Sequence, residues 1–326
     1  MDQIVSKLSP FMAAHPTPLA GTKFHDPHLT AKGEVRASVD MAGLKTLWFN
    51  TGTLCNLTCL NCYIESSPTN DALSYLTAAE ALAYLDEIAA LNLPVEEIGL
   101  TGGEPFMNPD ILSLIAVPLQ RGLRVLVLTS AMKPMDHRKD GLLALKARYG
   151  DRLTLRVSLD HYTGLVHEAE RGVGTWAKAL EGLHWLSVHG FNLAVAGRTL
   201  EGEATDDARA GYQALFEGMG VALDASNPAA LVLFPEMDAR VDVPEITTAC
   251  WGILHKDPAD LMCASSRMVV KRRGADRPAV VACTLLPYDP QFELGPDLAS
   301  SLGSVRLNHP HCAKFCVLGG ASCSAG

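Results

Sequence analysis

Three cysteines, Cys55, Cys59 and Cys62, lie within eight residues of each other, directly after a short apolar run. That position predicts a loop at the carboxyl end of a buried strand, where α/β proteins place their chemistry. A [4Fe-4S] cluster normally takes four cysteine ligands, so three thiolates would leave one iron open to an external ligand. The alternative, a zinc loop, needs a fourth protein ligand, and no nearby histidine supplies it. The spacing therefore favours a reactive iron–sulfur cluster.

The elements that position this loop follow a repeated pattern. Between residues 45 and 235, runs rich in Val, Leu and Ile alternate with helical patterns, as is typical of parallel β/α units. We predict six strands, at residues 47–49, 98–100, 124–129, 153–159, 192–196 and 231–234. Six such units suit either a partial barrel or a doubly wound sheet, and periodicity alone does not choose between them.

Local signals predict where three of the helices begin and end. Thr77 and Glu80 have the spacing of a capping box before an apolar stripe, which predicts a helix start. Asn108 and Pro109 predict the next start, with Asn as the cap and Pro at the first helical position. A third helix is predicted from about residue 175 to 189, ending before Gly190.

Four short motifs in order carry a resemblance to a known family. They are Cys-x3-Cys-x2-Cys-Tyr at 55–63, Thr-Gly-Gly-Glu-Pro at 101–105, Ser-Leu-Asp at 158–160 and Arg-Gly-x-Gly-Thr at 171–175. Each follows a predicted strand or opens a predicted helix, and together they resemble the radical S-adenosylmethionine (SAM) superfamily. The resemblance covers about residues 45–235. It implies an α/β fold with a partial (β/α)6 TIM-type barrel.

The resemblance also implies a reaction. SAM would bind the open iron, an electron would enter through the cluster, and the resulting 5′-deoxyadenosyl radical would abstract a hydrogen atom from a peptide or small-molecule substrate. It further implies an electron donor such as flavodoxin or ferredoxin. The alternative class is a non-enzymatic iron–sulfur or zinc protein that keeps the scaffold for electron transfer or assembly.

By resemblance, further residues would bind the cofactor. Tyr63 would contact the adenine, Gly102 and Gly103 would let the backbone approach a ligand, and Glu104 would pair with the ammonium group. The remaining candidates for cofactor binding are Ser158, Asp160, Arg171 and Arg198. Simpler explanations stay open: Tyr63 packing beneath the loop, Gly102–Gly103 making only a tight turn, Asp160 capping the next loop, and either arginine being a solvated charge.

Six more cysteines lie in the last part of the chain: Cys250, Cys263, Cys283, Cys312, Cys316 and Cys323. With strand-like runs on either side of Gly274, they resemble the auxiliary-cluster modules called SPASM and twitch domains. We predict one auxiliary [4Fe-4S] cluster, held by Cys263, Cys283, Cys316 and Cys323 with Cys312 as an alternative to Cys316. Cys250 is either a ligand or a free thiol. A zinc module using His309, His311, Cys312, Cys316 and Cys323 is the competing interpretation.

Composition limits the remaining possibilities. The chain has 326 residues and a net charge of −9, with one short basic run at 271–273, which disfavours a nucleic-acid partner. No signal peptide or membrane span is evident, so we expect a cytoplasmic protein whose nine cysteines are not disulfides. The predicted parts are an extension (1–44), the barrel (45–240) and the auxiliary module (241–326). An extension of 44 residues leaves little room for a winged-helix leader-binding domain.

Overall fold

A computed structural model describes residues 9–320 of the chain. Within them the strands are β1 (Ser38–Val39), β2 (Thr46–Asn50), β3 (Glu97–Thr101), β4 (Arg124–Thr129), β5 (Leu153–Ser158), β6 (Asn192–Arg198), β7 (Leu231–Phe234), β8 (Ser266–Val270), β9 (Ala279–Val281), β10 (Glu293–Gly295) and β11 (Val305–Arg306). The α-helices are α1 (Ala78–Ala90), α2 (Ile111–Gln120), α3 (Lys133–Asp136), α4 (Lys139–Tyr149), α5 (Gly164–Arg171), α6 (Thr175–Val188), α7 (Thr205–Met219) and α8 (Cys250–Leu254). A π-helix spans Cys312–Leu318.

Strands β2 to β7 form one parallel sheet in chain order, with a helix or helix pair between successive strands up to β7. Their apolar residues are buried in the core with the inner faces of the helices, which is why the strands read as continuous apolar runs. All six predicted strands are present, and their ends differ from the predicted ones by at most two residues. The predicted α/β partial barrel is confirmed.

The predicted hairpin around Gly274 is also present, and it continues the barrel sheet. Strand β8 pairs with β2 in parallel, β9 pairs with β8 antiparallel, and β10 pairs with β9. The nine strands therefore run in the order β10-β9-β8-β2-β3-β4-β5-β6-β7. Because β2 leads into the cysteine loop, this pairing brings the cysteine-rich carboxyl-terminal region next to the loop.

A second apolar core joins the two ends of the chain to the sheet. It contains Val39 from the amino-terminal segment, Trp48 from β2, and Met268 and Phe315 from the carboxyl-terminal region. Strand β1 also pairs antiparallel with β11. The amino-terminal segment therefore packs largely on the carboxyl-terminal region, although Phe11 reaches the barrel residue Arg198.

Helix α1 begins as predicted. The Thr77 side chain accepts a hydrogen bond from the Glu80 amide and the Glu80 carboxylate accepts one from the Thr77 amide, which completes the capping box. The predicted start of α2 at Asn108–Pro109 is wrong, because the helix begins at Ile111 after Asp110. The Asn108 side-chain oxygen accepts from the Asp110 amide at 2.8 Å, and its amide group donates to the carbonyl oxygens of Thr51 and Leu76, 2.9 Å away in each case. It therefore fixes the loop after β2.

In the described part of the chain, residues 9–320, none of the helices combines the length and the apolar character that crossing a bilayer requires.

Candidate active site

The cysteine loop follows β2 and places its three thiols around one cavity. Cys55 is buried, and Cys59 and Cys62 are half-buried. All three line a cavity of about 120 Å³, together with Tyr63, Gly102, Gly103, Ser158 and Arg171. Of the eight residues predicted to bind the cofactor, seven line this cavity or the neighbouring one described below. Glu104 lines neither of the two.

Burial determines the protonation of these thiols. Removal from water raises the pKa of Cys55 to about 12 and that of Cys59 to about 11, because the interior disfavours a thiolate. Both side chains are therefore neutral thiols at pH 7 in the absence of a cation. A metal ligand must be a thiolate, so loading this site with metal would release protons.

The glycines of the Thr-Gly-Gly-Glu-Pro turn permit close packing against the cysteine loop. A Cβ atom on Gly103 would lie 2.3 Å from the carbonyl oxygen of Leu54, the residue before Cys55. Gly102 adopts a φ of +139°, and a Cβ atom there would lie 2.4 Å from the Gly52 carbonyl oxygen. The Gly103 amide donates to that same oxygen at 2.8 Å. Both glycines are therefore needed to hold the loop that carries Cys55.

The Glu104 carboxylate is already well supplied with donors from the protein. It is 2% exposed and accepts from the Ser130 hydroxyl (2.6 Å) and amide (2.8 Å), the Thr129 hydroxyl (2.9 Å) and the Phe106 amide (3.2 Å). These bonds tie the turn to the end of β4. Its predicted contact with the cofactor's ammonium group stays a prediction.

A second cavity, of about 130 Å³, adjoins the first and shares Cys59, Cys62, Tyr63, Ser158 and Arg171 with it. One wall is charged and the other apolar. The charged wall consists of Arg156, Asp160, Glu170, Arg171 and Arg198, and the apolar wall of Leu128, Phe234, Met237, Leu285 and Phe315. Phe315 and Leu285 come from the carboxyl-terminal region, so that region closes the mouth of the barrel.

Asp160 and Arg171 form a bidentate ion pair on the charged wall, with distances of 2.7 and 3.1 Å. Burial alone would raise the pKa of Asp160, but the charges of Arg171 and Arg198 outweigh it and hold that pKa at about 2. Asp160 therefore stays ionised at all ordinary pH values. The Asp160 side chain pairs with Arg171, and the Arg171 side chain is largely buried in this pair.

Breaking this pair has a predictable cost. Asp160→Asn leaves the Arg171 guanidinium buried without its counter-ion and is expected to lower the free energy of unfolding by roughly 3–5 kcal/mol. Because the folded pKa lies below the ordinary value of 3.8, the ion pair stabilises fully above about pH 4 and loses its effect as the pH falls towards 2. Urea titrations at pH 7 and pH 3 measure this.

The double variant Asp160→Leu/Arg171→Met is the control, since it removes both charges together. It should lose less stability than Asp160→Asn. A single variant that unfolds within 1 kcal/mol of the wild type would contradict the assigned role of the pair.

The sequence did not reveal Glu170, which anchors the cysteine loop. Glu170 is 1% exposed; its backbone carbonyl accepts from the Leu60 amide at 3.0 Å and its carboxylate from the Asn61 amide at 2.9 Å. Arg198 donates to the Asn61 carbonyl at 2.9 Å and pairs with the Glu170 carboxylate at 3.3 Å. The two side chains therefore clamp the loop between Cys59 and Cys62. The one available signal was a glutamate directly before Arg171.

The carboxyl-terminal cysteines divide into groups that their spacing did not predict. Cys263, Cys283 and Cys312 are close enough to affect one another electrostatically: the pKa of Cys312 is raised by burial and further by Cys283 and Cys263. Burial raises the pKa of Cys263 to about 11. Cys316 is half-buried one turn further along the π-helix, and Cys323 lies outside the described residues.

In residues 9–320, no three His, Cys, Asp or Glu side chains converge closely enough to hold a single metal ion. Of the predicted zinc alternative, His309 and His311 have ring centroids 4.7 Å apart, and burial lowers the pKa of each imidazole to about 4.

Comparison with known proteins identifies the family. Residues 49–208 match the family described as Radical SAM superfamily. This segment belongs to the radical SAM superfamily. The family implies a [4Fe-4S] cluster and SAM as cofactors.

Curated relatives match over part of their length. The chain is 32% identical over 148 residues to AlbA, the antilisterial bacteriocin subtilosin biosynthesis protein of Bacillus subtilis, covering 45% of this chain and 31% of AlbA. It is 29% identical over 137 residues to the mycofactocin maturase MftC of Mycobacterium ulcerans, covering 42% of this chain and 35% of MftC. The chain thus spans about a third of the length of these relatives.

Solved structures show the same fold over a longer range. SuiB of Streptococcus suis bound to S-adenosylmethionine aligns with a TM-score of 0.56 and 12% identity, over 78% of this chain and 63% of SuiB. The anSMEcpe structure with bound AdoMet aligns with a TM-score of 0.53 and 13% identity, over 79% of each chain. The likeness in fold therefore covers more of the chain than residues 49–208.

Proposed function

We propose that this radical SAM enzyme cleaves SAM reductively at a [4Fe-4S] cluster held by Cys55, Cys59 and Cys62, and abstracts a hydrogen atom from its substrate. The observation that carries the proposal is that the three cysteines line one cavity with Gly102, Gly103 and Ser158. When bound, the reduced cluster would supply the electron that splits SAM into methionine and a 5′-deoxyadenosyl radical.

The donor set of this cavity fits that group. Three thiols come from one loop, and a multi-iron cluster is wider than a single ion, so its ligands need not converge on one point. The remaining lining supplies hydrogen-bonding groups, namely the Ser158 hydroxyl and the Arg171 guanidinium, together with the Tyr63 ring. In our proposal these groups bind and orient SAM, and burial of the loop excludes water.

The second cavity is the proposed substrate site. Its apolar wall, which includes Leu285 and Phe315, faces the charged wall of the barrel beside Cys59 and Cys62. Such a site suits a substrate that presents a carbon-rich side chain to the radical and a polar group to the arginines. A peptide is the substrate class we propose, because AlbA is named for bacteriocin biosynthesis and SuiB has been solved bound to the precursor peptide SuiA.

The test is anaerobic reconstitution of the full chain with iron and sulfide, followed by incubation with SAM and dithionite. Formation of 5′-deoxyadenosine that requires both reductant and cluster would support the proposal. Absence of that product from a chain that carries its iron would refute it.

We also propose that one auxiliary [4Fe-4S] cluster lies in the carboxyl-terminal region, with Cys263, Cys283 and Cys312 among its ligands. Cys316 and Cys323 remain the candidates for the fourth ligand. Cys263 and Cys283 both raise the pKa of Cys312, so these three thiols lie near each other. This proximity supports Cys312 as the ligand rather than Cys316, which is less buried.

A buried arginine supports the same site. Arg267 is 0% exposed, and its guanidinium donates only to backbone carbonyls, those of Ser301 (2.7 Å), Cys263 (2.6 Å), Ser266 (2.8 Å) and Gly303 (2.9 Å). Within residues 9–320 no carboxylate forms an ion pair with it. Burial lowers the pKa of Arg267 to about 10, and the nearby Cys263 and Cys283 oppose that shift. A cluster held by thiolates would be negatively charged and would serve as the counter-ion of Arg267.

Removing that charge should weaken the auxiliary site. In a Cys55→Ala/Cys59→Ala/Cys62→Ala background, Arg267→Gln is expected to lower iron affinity by about 10–100-fold, as changes next to the ligands of a metal site do. Iron retained against a chelator is the measurement. Arg267→Lys, which keeps the charge and loses hydrogen bonds, is the matched control and should retain more iron. Equal loss in both variants would mean that Arg267 acts only through its hydrogen bonds.

A further inference from the structure

A surface groove of about 700 Å³ lies on the outer side of the cysteine loop. Four segments form it: residues 56–58 of the loop itself, residues 106–107, residues 132–138 around α3, and residues 171–178 at the start of α6. The groove is separate from the two cavities inside the barrel mouth, and neither the cofactor nor the substrate in our proposed function uses it.

Only a thin wall separates this groove from the cysteines. Leu57 and Arg171 line both the groove and the cavity that contains Cys55, Cys59 and Cys62. Leu57 lies between Cys55 and Cys59 in the chain, and its amide contacts the Cys55 sulfur at 3.4 Å. A molecule seated in the groove would therefore lie one side chain away from the proposed cluster.

The groove is basic, although the chain as a whole carries a net charge of −9. Lys133, Arg138 and Lys178 line it, and none of them takes part in an ion pair in the part of the chain that the structure describes. Of the nearby carboxylates, Asp136 pairs with Lys139 at 2.7 Å, and Glu168 accepts from the Gly174 amide at 2.9 Å.

The groove also offers an apolar contact. Val173 lines it and is 91% exposed. An exposed apolar side chain among unpaired charges of one sign is typical of a surface that a charged protein partner covers.

The geometry points to this groove as the docking site of an acidic one-electron carrier protein of the flavodoxin or ferredoxin class. The inference rests on the proposed function, which requires one electron per SAM cleaved. The carrier is oxidised by one electron and the cluster behind Leu57 is reduced by one; no bond forms or breaks in this step. The lysines and the arginine attract the acidic face of the carrier, and Val173 contacts it.

The experiment compares two reductants. In Lys133→Glu/Arg138→Glu/Lys178→Glu, 5′-deoxyadenosine formation supported by a reduced flavodoxin is expected to fall at least about tenfold at low salt, the lower end of electrostatic steering effects. Formation supported by dithionite should not change, because a small reductant needs no docking. The difference should shrink as salt is raised towards about 0.5 M, since screening weakens the attraction.

A control variant matches the change in charge. Lys32→Glu/Lys45→Glu/Arg148→Glu alters three exposed cations outside the groove and should keep its flavodoxin-supported activity. Equal loss in both triple variants, no loss in the groove variant, or equal loss with both reductants would each overturn the inference.

A binding measurement tests the docking without relying on catalysis. The affinity of oxidised flavodoxin for the iron-loaded chain, followed by flavin fluorescence, should fall in the groove variant and not in the control. If the wild type forms no product with dithionite, the proposed function fails. The docking inference is then decided by this binding measurement alone.

Discussion

Cys59→Ala is expected to abolish 5′-deoxyadenosine formation, reducing it to the background of reductant and SAM without protein. The three thiols of the cysteine loop line one cavity. A cluster with one open iron needs all three as ligands, so two thiols are not enough to hold it. The reconstituted variant should also hold about four fewer irons per chain than the wild type, since one [4Fe-4S] cluster is lost. Iron analysis and product chromatography measure the two effects.

Cys250→Ala is the matched control for this variant. Cys250 is also half-buried, but it lies at the start of α8 and does not line the cavity. Its replacement should leave SAM cleavage in place. Full activity of Cys59→Ala, or equal loss in both variants, would refute the assignment of the cysteine loop.

The pH at which the cluster is assembled should matter as well. Because burial raises the pKa of Cys55 to about 12 and of Cys59 to about 11, protons must leave both thiols before iron binds. The thiolate fraction grows as the pH rises, so iron loading should increase between about pH 6 and pH 9. Cys59→Ala should lose the larger part of this dependence.

Gly103→Ala is expected to have the second large effect. Its new Cβ atom would lie 2.3 Å from the Leu54 carbonyl oxygen, and backbone cannot swing aside as a flexible side chain can. Overpacking of this kind costs about 1–3 kcal/mol or more, and relief requires movement of the loop that carries Cys55. We therefore expect lower stability, reduced iron content and a loss of 5′-deoxyadenosine formation, measured on the same preparation.

Gly218→Ala provides the comparison. Gly218 lies near the end of α7, and a Cβ atom there would meet nothing within 4 Å. In a helix this change should stabilise the chain by about 0.5–1 kcal/mol and leave the iron content unchanged. Wild-type iron content and activity in Gly103→Ala would show that the close approach to Leu54 is not needed.

Local patterns in the sequence were sufficient for much of the barrel. The strands from β2 to β7 were predicted because strands buried on both faces read as apolar runs, whatever lies around them. The capping box at Thr77 was predicted because its two partners are three residues apart and need only each other.

The sequence was least informative where the partners of a side chain lie far away in the chain. Asn108 is a residue type that caps helices, but its side-chain oxygen accepts from the Asp110 amide and its amide group donates to the Thr51 and Leu76 carbonyls, and the helix begins after Asp110. No local pattern assigned a role to Glu170, because only the packing of α5 against the cysteine loop brings its carboxylate to the Asn61 amide.

The sequence by itself determined the family, the three cysteines of the loop and the order of the β/α units, because each is set by spacing along the chain. The tertiary structure alone decided that β8 pairs with β2, which brings the carboxyl-terminal region over the barrel mouth. It also decided that Cys312 lies with Cys263 and Cys283, and that Lys133, Arg138 and Lys178 share one groove. Those contacts join residues far apart in the chain, and no local pattern records the packing that brings them together.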